Sequence, residues 1–289
     1  MEFAGLDVRS GGVFGVVVDI DGRVLRRARA DGEPGSTLAF VWRELSRART
    51  FEAAGISSDA DLGELGIKES GISHSRRFFR CSPGSAAVAA EAWVGAARDA
   101  EHAICLWVGD RVFCGTLLNG QPWMGAHGLA GAAAWLALNP VERQDYRKYG
   151  SLGAEISDKG IARRLAWRIQ AGDHSAVLER AGDLEAITAE HVLEGARAGD
   201  GVAISVVRDT ARYIGMAVSN LVAAIDPEVV VLGGPLSTAG DLLLEPVKHE
   251  CVRRLPPEMA AHLRFEMSPL ADDGVAIGAA SLAFAARQP

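Results

Sequence analysis

The sequence predicts an α/β protein built from two related halves. Three observations carry this. The first thirty residues run strand, tight turn, strand, tight turn, strand. The same order restarts near residue 102. Each half then passes into helices, and the second ends on a buried strand and a strand–helix unit. An internal echo of this kind marks a repeated supersecondary plan.

The elements follow in order. "FAGLDV" reads as a strand carrying Asp7, "VFGVVVDI" as a second and "GRVLRRARA" as a third. The short "RSGG" and the Asp21-Gly22 pair supply the turns, which makes the three strands antiparallel. "PGSTLAFVWREL" opens a helix for which Ser36 or Thr37 is the expected cap. "DLGELGI" is a candidate fourth strand, "KESGISHSRRF" a loop, and "RRFFRC" a return to the sheet before a helix beginning near Gly84. "HAICLWVG" and "RVFCGTLL" are strands broken at Gly109-Asp110, with Asn119-Gly120 as the next hairpin turn. "SDKGIARRLAWRI", "SAVLERA" and "TAEHVLEGARAGD" fit a helical period. A long helix over 201–225 follows and stops at Asp226-Pro227. "EVVVLGG" is a buried strand whose Gly233 and Gly234 permit close backbone approach. "FEMSPLADDGVAIGAASLAFAA" is a strand, an acidic turn and a small-residue helix.

Composition narrows the function classes. The 289 residues carry a formal net charge of -7, which argues against a nucleic-acid surface. The pairs Arg76-Arg77 and Arg163-Arg164 are expected on solvated faces. There is no secretion signal and no apolar run of the roughly 18 residues a membrane helix needs, so a cytoplasmic protein without membrane contact is expected. Cys81, Cys105, Cys114 and Cys251 lack metal-ligand spacing; three of them lie in apolar segments and read as buried hydrophobes, and no zinc is expected.

The order of elements, together with "DIDGRVL", "AAEAWVGAAR", "TAEHVLEGARAGD", "YIGMAVSNLVAAIDPEVVVLGGPLSTAGDLLLEPVKHECV" and "DDGVAIGAASLA", resembles the ROK family of bacterial sugar kinases and sugar-responsive repressors. The resemblance implies an actin-like (ribonuclease H-like) ATPase fold, with two related α/β domains around a cleft for ATP and sugar. It places an N-terminal domain at 1–98, with a C-terminal helix over 272–289 packing back on it, and a second domain at 99–271. It also implies a homodimer and a sugar or sugar-like small molecule as partner. The chain starts directly at the first strand, so no DNA-binding domain is expected.

Against the family pattern, several site positions are replaced. The family's catalytic Asp, in Asn-Asp-Ala-Asn, corresponds to Pro83 in "SPGS", and proline has no proton-accepting group. The Gly-Glu-Ile-Gly-His segment reads "GAAAW", with Ala132 for Glu and Trp135 for His. Tyr149 and Ala154 stand in places of zinc-binding cysteines, and Trp135 is expected to pack into the space the metal left. In the phosphate loops Asp7, Gly11 and Gly12 survive, as do Gly109 and Gly115, while Asp110 and Phe113 are replacements. Gly233 and Gly234 match the adenosine-side glycines, His127 and Gly128 precede the altered sugar segment, and Glu155 lies near the family's other sugar-contacting Glu. The resemblance implies ATP with Mg²⁺ as cofactor. Two readings follow. The first is a non-catalytic sensor, regulator or scaffold that has lost sugar kinase activity. The second is an ATP-dependent sugar kinase, or related enzyme, with a remodelled site, an unusual acceptor and Glu155, Asp110 or His127 as candidate base.

Overall fold

The computed structural model describes residues 1–47, 51–58 and 78–287. Along the chain, β1 (Glu2–Arg9), β2 (Gly12–Asp19) and β3 (Val24–Asp31) lead to α1 (Pro34–Ser46), then β4 (Ala53–Ser58), β5 (Phe78–Cys81) and α2 (Pro83–Val94). The plan restarts with β6 (Ala103–Val108), β7 (Val112–Leu118) and the short β8 (Gln121–Pro122). Helices α3 (Gln144–Tyr149), α4 (Ser151–Ile156), α5 (Asp158–Gln170), α6 (Ala176–Ala181), α7 (Ala189–Arg197) and α8 (Gly201–Ile225) follow. The chain closes with β9 (Val229–Gly233), α9 (Gly240–Val252), α10 (Pro257–Ala260), β10 (Arg264–Met267) and α11 (Gly274–Ala285). The strand expected over 61–67 and the loop before Phe78 lie outside the described residues, as do Arg76 and Arg77.

The expected repetition is present in the topology. One sheet has the order β3-β2-β1-β4-β5 and the other, read from its β8 edge, β8-β7-β6-β9-β10. Both follow one plan, the α/β actin-like one. The chain divides into two compact units, one of Met1–Cys105, Gly115–Gly131 and Ser268–Pro289, the other of Leu106–Cys114 and Ala132–Met267.

In the first unit, β1 pairs antiparallel with β2 and parallel with β4, and β4 pairs parallel with β5. Alternation along β1 sorts its side chains onto two faces. Leu6 and Val8 meet Leu38, Val41 and Leu45 of α1, while Phe3 meets Ala90 of α2 and Ala276, Ile277 and Ala280 of α11. The second face is closely packed because it lacks side chains at key points. A Cβ on Gly5 or Gly55 would stand 1.8 Å from a carbonyl oxygen of α11, that of Ala276 or Ala279. One on Gly278 would stand 1.7 Å from the Ala86 carbonyl oxygen of α2. Glycine here lets backbone rest on backbone.

Helix ends follow local chemistry. Ser157, Ser175 and Asp200 cap α5, α6 and α8 through their side chains, and Thr188 forms a capping box with His191 on α7. Helix α1 differs from expectation. Pro34, with its fixed φ, starts the helix ahead of the two candidate caps, and the Ser36 and Thr37 hydroxyls instead donate to the Glu33 carbonyl. Among the described residues, no helix is long and apolar enough to cross a membrane.

Candidate functional site

In the first unit the chemistry gathers where the parallel strands end. Asp7 on β1 is in register with Ser57 on β4, and Ser57 with Cys81 on β5. Side-chain alternation sets this row on the face that carries α2 and α11. Ends of parallel strands beside a helix N-terminus are the usual ligand edge of α/β sheets. Asp7 is fully buried, and the Arg9 guanidinium donates to it from Nε at 2.7 Å. Arg9 also forms an ion pair with Asp272 at 2.9 Å and lies over the Phe14 ring, 3.8 Å from its centroid. The Ser57 hydroxyl oxygen is buried and has no hydrogen-bond partner among the described residues. The Cys81 thiol donates to the Ile56 carbonyl, and burial, with Asp7 adding its charge, pushes it up to about 12.

Helix α2 points its start at this corner. Ser82 caps it, accepting from the Ser85 amide at 3.1 Å while bonding the Ser85 hydroxyl at 2.9 Å. Pro83 is its first residue and is buried. The orphan amides of a helix N-terminus favour a negative group. A metal held directly by Asp7 does not fit, because that carboxylate already holds the Arg9 guanidinium. Arg9 is shared between Asp7 and Asp272.

The other expected residues fall at several places. Ser10 and Gly11 form the β1–β2 turn, Gly12 opens β2 opposite Arg9, and the Gly11 carbonyl accepts from the Gly32 amide at 2.9 Å. His127 is exposed, and Gly128, like Asn119 and Gly120 earlier, has a positive φ. In the second unit the Gly109 amide donates across the β6–β7 turn to the Arg111 carbonyl at 3.1 Å. Exposed Asp110 accepts from the Arg111 amide at 2.9 Å. Gly234 has φ +86, and a Cβ there would stand 2.5 Å from the Val108 carbonyl oxygen and 3.0 Å from the Trp107 indole. Trp107 stacks on Phe113 at 5.5 Å, and its buried Nε1 has no hydrogen-bond partner among the described residues. The Gly233-Gly234 turn therefore serves close packing against β6 as well as any ligand.

Three expectations change. Trp135 does not fill a former metal space, since it is 59% exposed in a short 3-10 turn. Glu155, a candidate base, is buried with both oxygens engaged: Tyr146 at 2.6 Å and Arg143 at 3.2 Å reach Oε1, and Arg164 reaches Oε2. Burial and then the Glu155 hydrogen bond push Tyr146 up to about 12. Finally, Arg163 and Arg164 are not a solvated pair, being 27% and 14% exposed. Among the described residues, no three His, Cys, Asp or Glu side chains gather as a metal-holding group. Sequence reasoning missed Arg9, Ser57 and Asp272. Only Arg9 left a local signal, standing two residues after Asp7 and hence on the same strand face.

Residues 84–286 match the model of the ROK family. The chain belongs to the ROK family. It is similar to a glucokinase of Halalkalibacterium halodurans, 32% identical over 190 residues, which cover 65% of this chain and 58% of that protein. A glucokinase of Thermotoga maritima is 27% identical over 208 residues, covering 72% of this chain and 66% of that one. The chain thus spans less than two thirds of the length of these curated relatives. In fold it is similar to a ROK family glucokinase from Streptomyces griseus in complex with glucose and AMPPNP, with a TM-score of 0.86, 22% identity, and 99% and 100% of the two chains covered. These findings overturn the expectation of a protein that has lost sugar kinase activity. Two of the relatives carrying the likeness are glucokinases, and a xylose repressor of Caldicellulosiruptor bescii, 25% identical over 191 residues that cover 65% of this chain and 47% of that one, is also similar.

Proposed function

We propose that the chain is an ATP-dependent sugar kinase, related to glucokinases, with a remodelled active site and an unusual acceptor sugar. The observation that carries this reading is the sequence likeness to two glucokinases. Phosphoryl transfer asks the protein mainly to position groups and stabilise charge, because its transition state is loose. A positioned base contributes typically ~10²–10⁴-fold, so its absence at Pro83 slows such an enzyme without abolishing it. In this reading Mg²⁺ arrives on the nucleotide phosphates, and Arg9, anchored by Asp7 and Asp272, offers a fixed cation. The Ser57 hydroxyl and the start of α2 supply polar contacts to the acceptor. Exposed Trp135 offers a ring on which a sugar face stacks. The Gly233-Gly234 turn serves the adenosine side, His127 and Gly128 the sugar side, and the active species is a homodimer.

The test is ADP release measured by coupled assay across a panel of hexoses, amino sugars and pentoses with ATP and Mg²⁺. Sugar-dependent release is expected with at least one acceptor, about 10²–10⁴-fold slower than a glucokinase with its base intact. Release that never exceeds the sugar-free background with any acceptor refutes the reading.

A further inference from the structure

The pair Arg163-Arg164 leads to a second site. Both residues, on α5, line a pocket of about 550 Å³ within the second unit, whose opposite wall is α8. That volume lies in the range of small-molecule sites, roughly 300–1,000 Å³. Five arginines line it (143, 163, 164, 168 and 212) against two carboxylates, Glu155 and Asp209. The spacing explains the convergence: 163, 164, 167 and 168 share one face of α5, and 209, 212, 213 and 216 share one face of α8.

The ion pairs leave one positive charge over, because Asp145 and Asp173 beyond the lining also pair with Arg163 and Arg168. Glu155 is shared between Arg143 and Arg164. Arg163 donates to the Ala154 carbonyl at 2.8 Å and pairs with Asp145 at 3.2 Å, while its buried Nε has no hydrogen-bond partner among the described residues. Arg212 meets Asp209 at 3.3 Å, a long contact for a charged pair. Two rings hold guanidinium planes in place: Arg163 lies over Trp167 at 4.8 Å and Arg164 over Tyr213 at 5.2 Å. Planar forks fixed before binding match the oxygens of a phosphate group.

We propose that this pocket binds a small phosphate ester of sugar-phosphate size, its phosphate held by Arg163 and Arg212. The inference rests on the pocket alone and stands whether or not the chain phosphorylates a sugar. The experiment is calorimetric titration of the whole protein, without nucleotide or Mg²⁺, using inorganic phosphate and glucose 6-phosphate as probes. Saturable binding is expected, tighter for glucose 6-phosphate, and uncharged glucose does not compete for it. Arg212→Gln and Arg163→Gln each weaken it about tenfold or more, from loss of a charge-assisted hydrogen bond. Arg197→Gln, which removes an exposed guanidinium paired with Asp241 elsewhere in the unit, leaves it unchanged. Arg212 is 54% exposed, so its variant keeps the fold, as circular dichroism verifies. Absence of saturable binding at millimolar probe overturns the proposal, as does equal binding by the wild type and both pocket variants. Binding weakened in those variants while ADP release stays at background supports this site and refutes the kinase reading separately.

Discussion

Replacing Arg9 with methionine removes the cation from the most buried charged cluster of the first unit. Asp7 is fully enclosed, and its partner Arg9 is only 6% exposed. Taking one partner from a buried pair costs about 3–5 kcal/mol, because the remaining buried charge loses its main compensation. Asp272 is 34% exposed and adds at most about 1 kcal/mol. Loss of the guanidinium from over Phe14 adds a further term of about 0.5–2 kcal/mol, partly offset by the methionine side chain. The Asp7 term therefore dominates. For a chain of this size each kcal/mol moves the melting temperature by about 2–4 °C, so a drop on the order of 10 °C is expected. The second half of the cycle tests the cause. Asp7→Asn combined with Arg9→Met removes both charges and regains at least about 2 kcal/mol relative to Arg9→Met alone. Melting is followed by near-UV circular dichroism at several protein concentrations. A single variant melting within about 2 °C of wild type, or a double variant showing the simple sum of both losses, refutes the argument.

Three further outcomes follow. Pro83→Asp places a carboxylate at the first position of α2, where the helix dipole tolerates it, and raises kcat for the best acceptor by up to about 10²-fold; an unchanged kcat counts against the reading of Pro83. Trp135→Ala removes an exposed ring, so stability holds while KM for the sugar rises about tenfold, as steady-state kinetics reports. Asp200→Ala removes the α8 cap and costs about 1 kcal/mol at neutral pH in urea titrations. Burial pushes the Asp200 carboxyl upward, but bonds from the Ala203 and Ala176 amides and the Ser175 hydroxyl outweigh it and hold the group below the usual range. Its contribution is thus complete above the unfolded value of about 3.9 and fades as pH falls through the lower folded one. The difference between wild type and variant must narrow on acidification.

Much of the fold was readable because its signals are local. Asp21-Gly22 and Asn119-Gly120 announce hairpins wherever they stand, and Asp226-Pro227 ends a helix by sterics alone. The site was less readable because it is made by register. That Asp7 neighbours Ser57, or that Arg9 reaches Asp272, depends on strand pairing and on a helix far along the chain. Glu155 shows the same limit. Its residue type suggested a base or a sugar contact, but its environment is set by arginines on other helical faces. Function was misjudged for a different reason. A missing aspartate is visible at Pro83, whereas what the remaining constellation contributes is not.

The contact of α11 with the first sheet has a consequence for biosynthesis. The strands it covers are made before it, and α11 begins roughly 190 residues after β5 ends. At translation rates of about 5–20 residues per second, that is an interval of ~10–40 s. During it, Phe3, Val16 and Val18 have no α11 to cover them. The core of the first unit therefore closes only once α11 has been made, and its β-strands and its last helix join across most of the intervening chain.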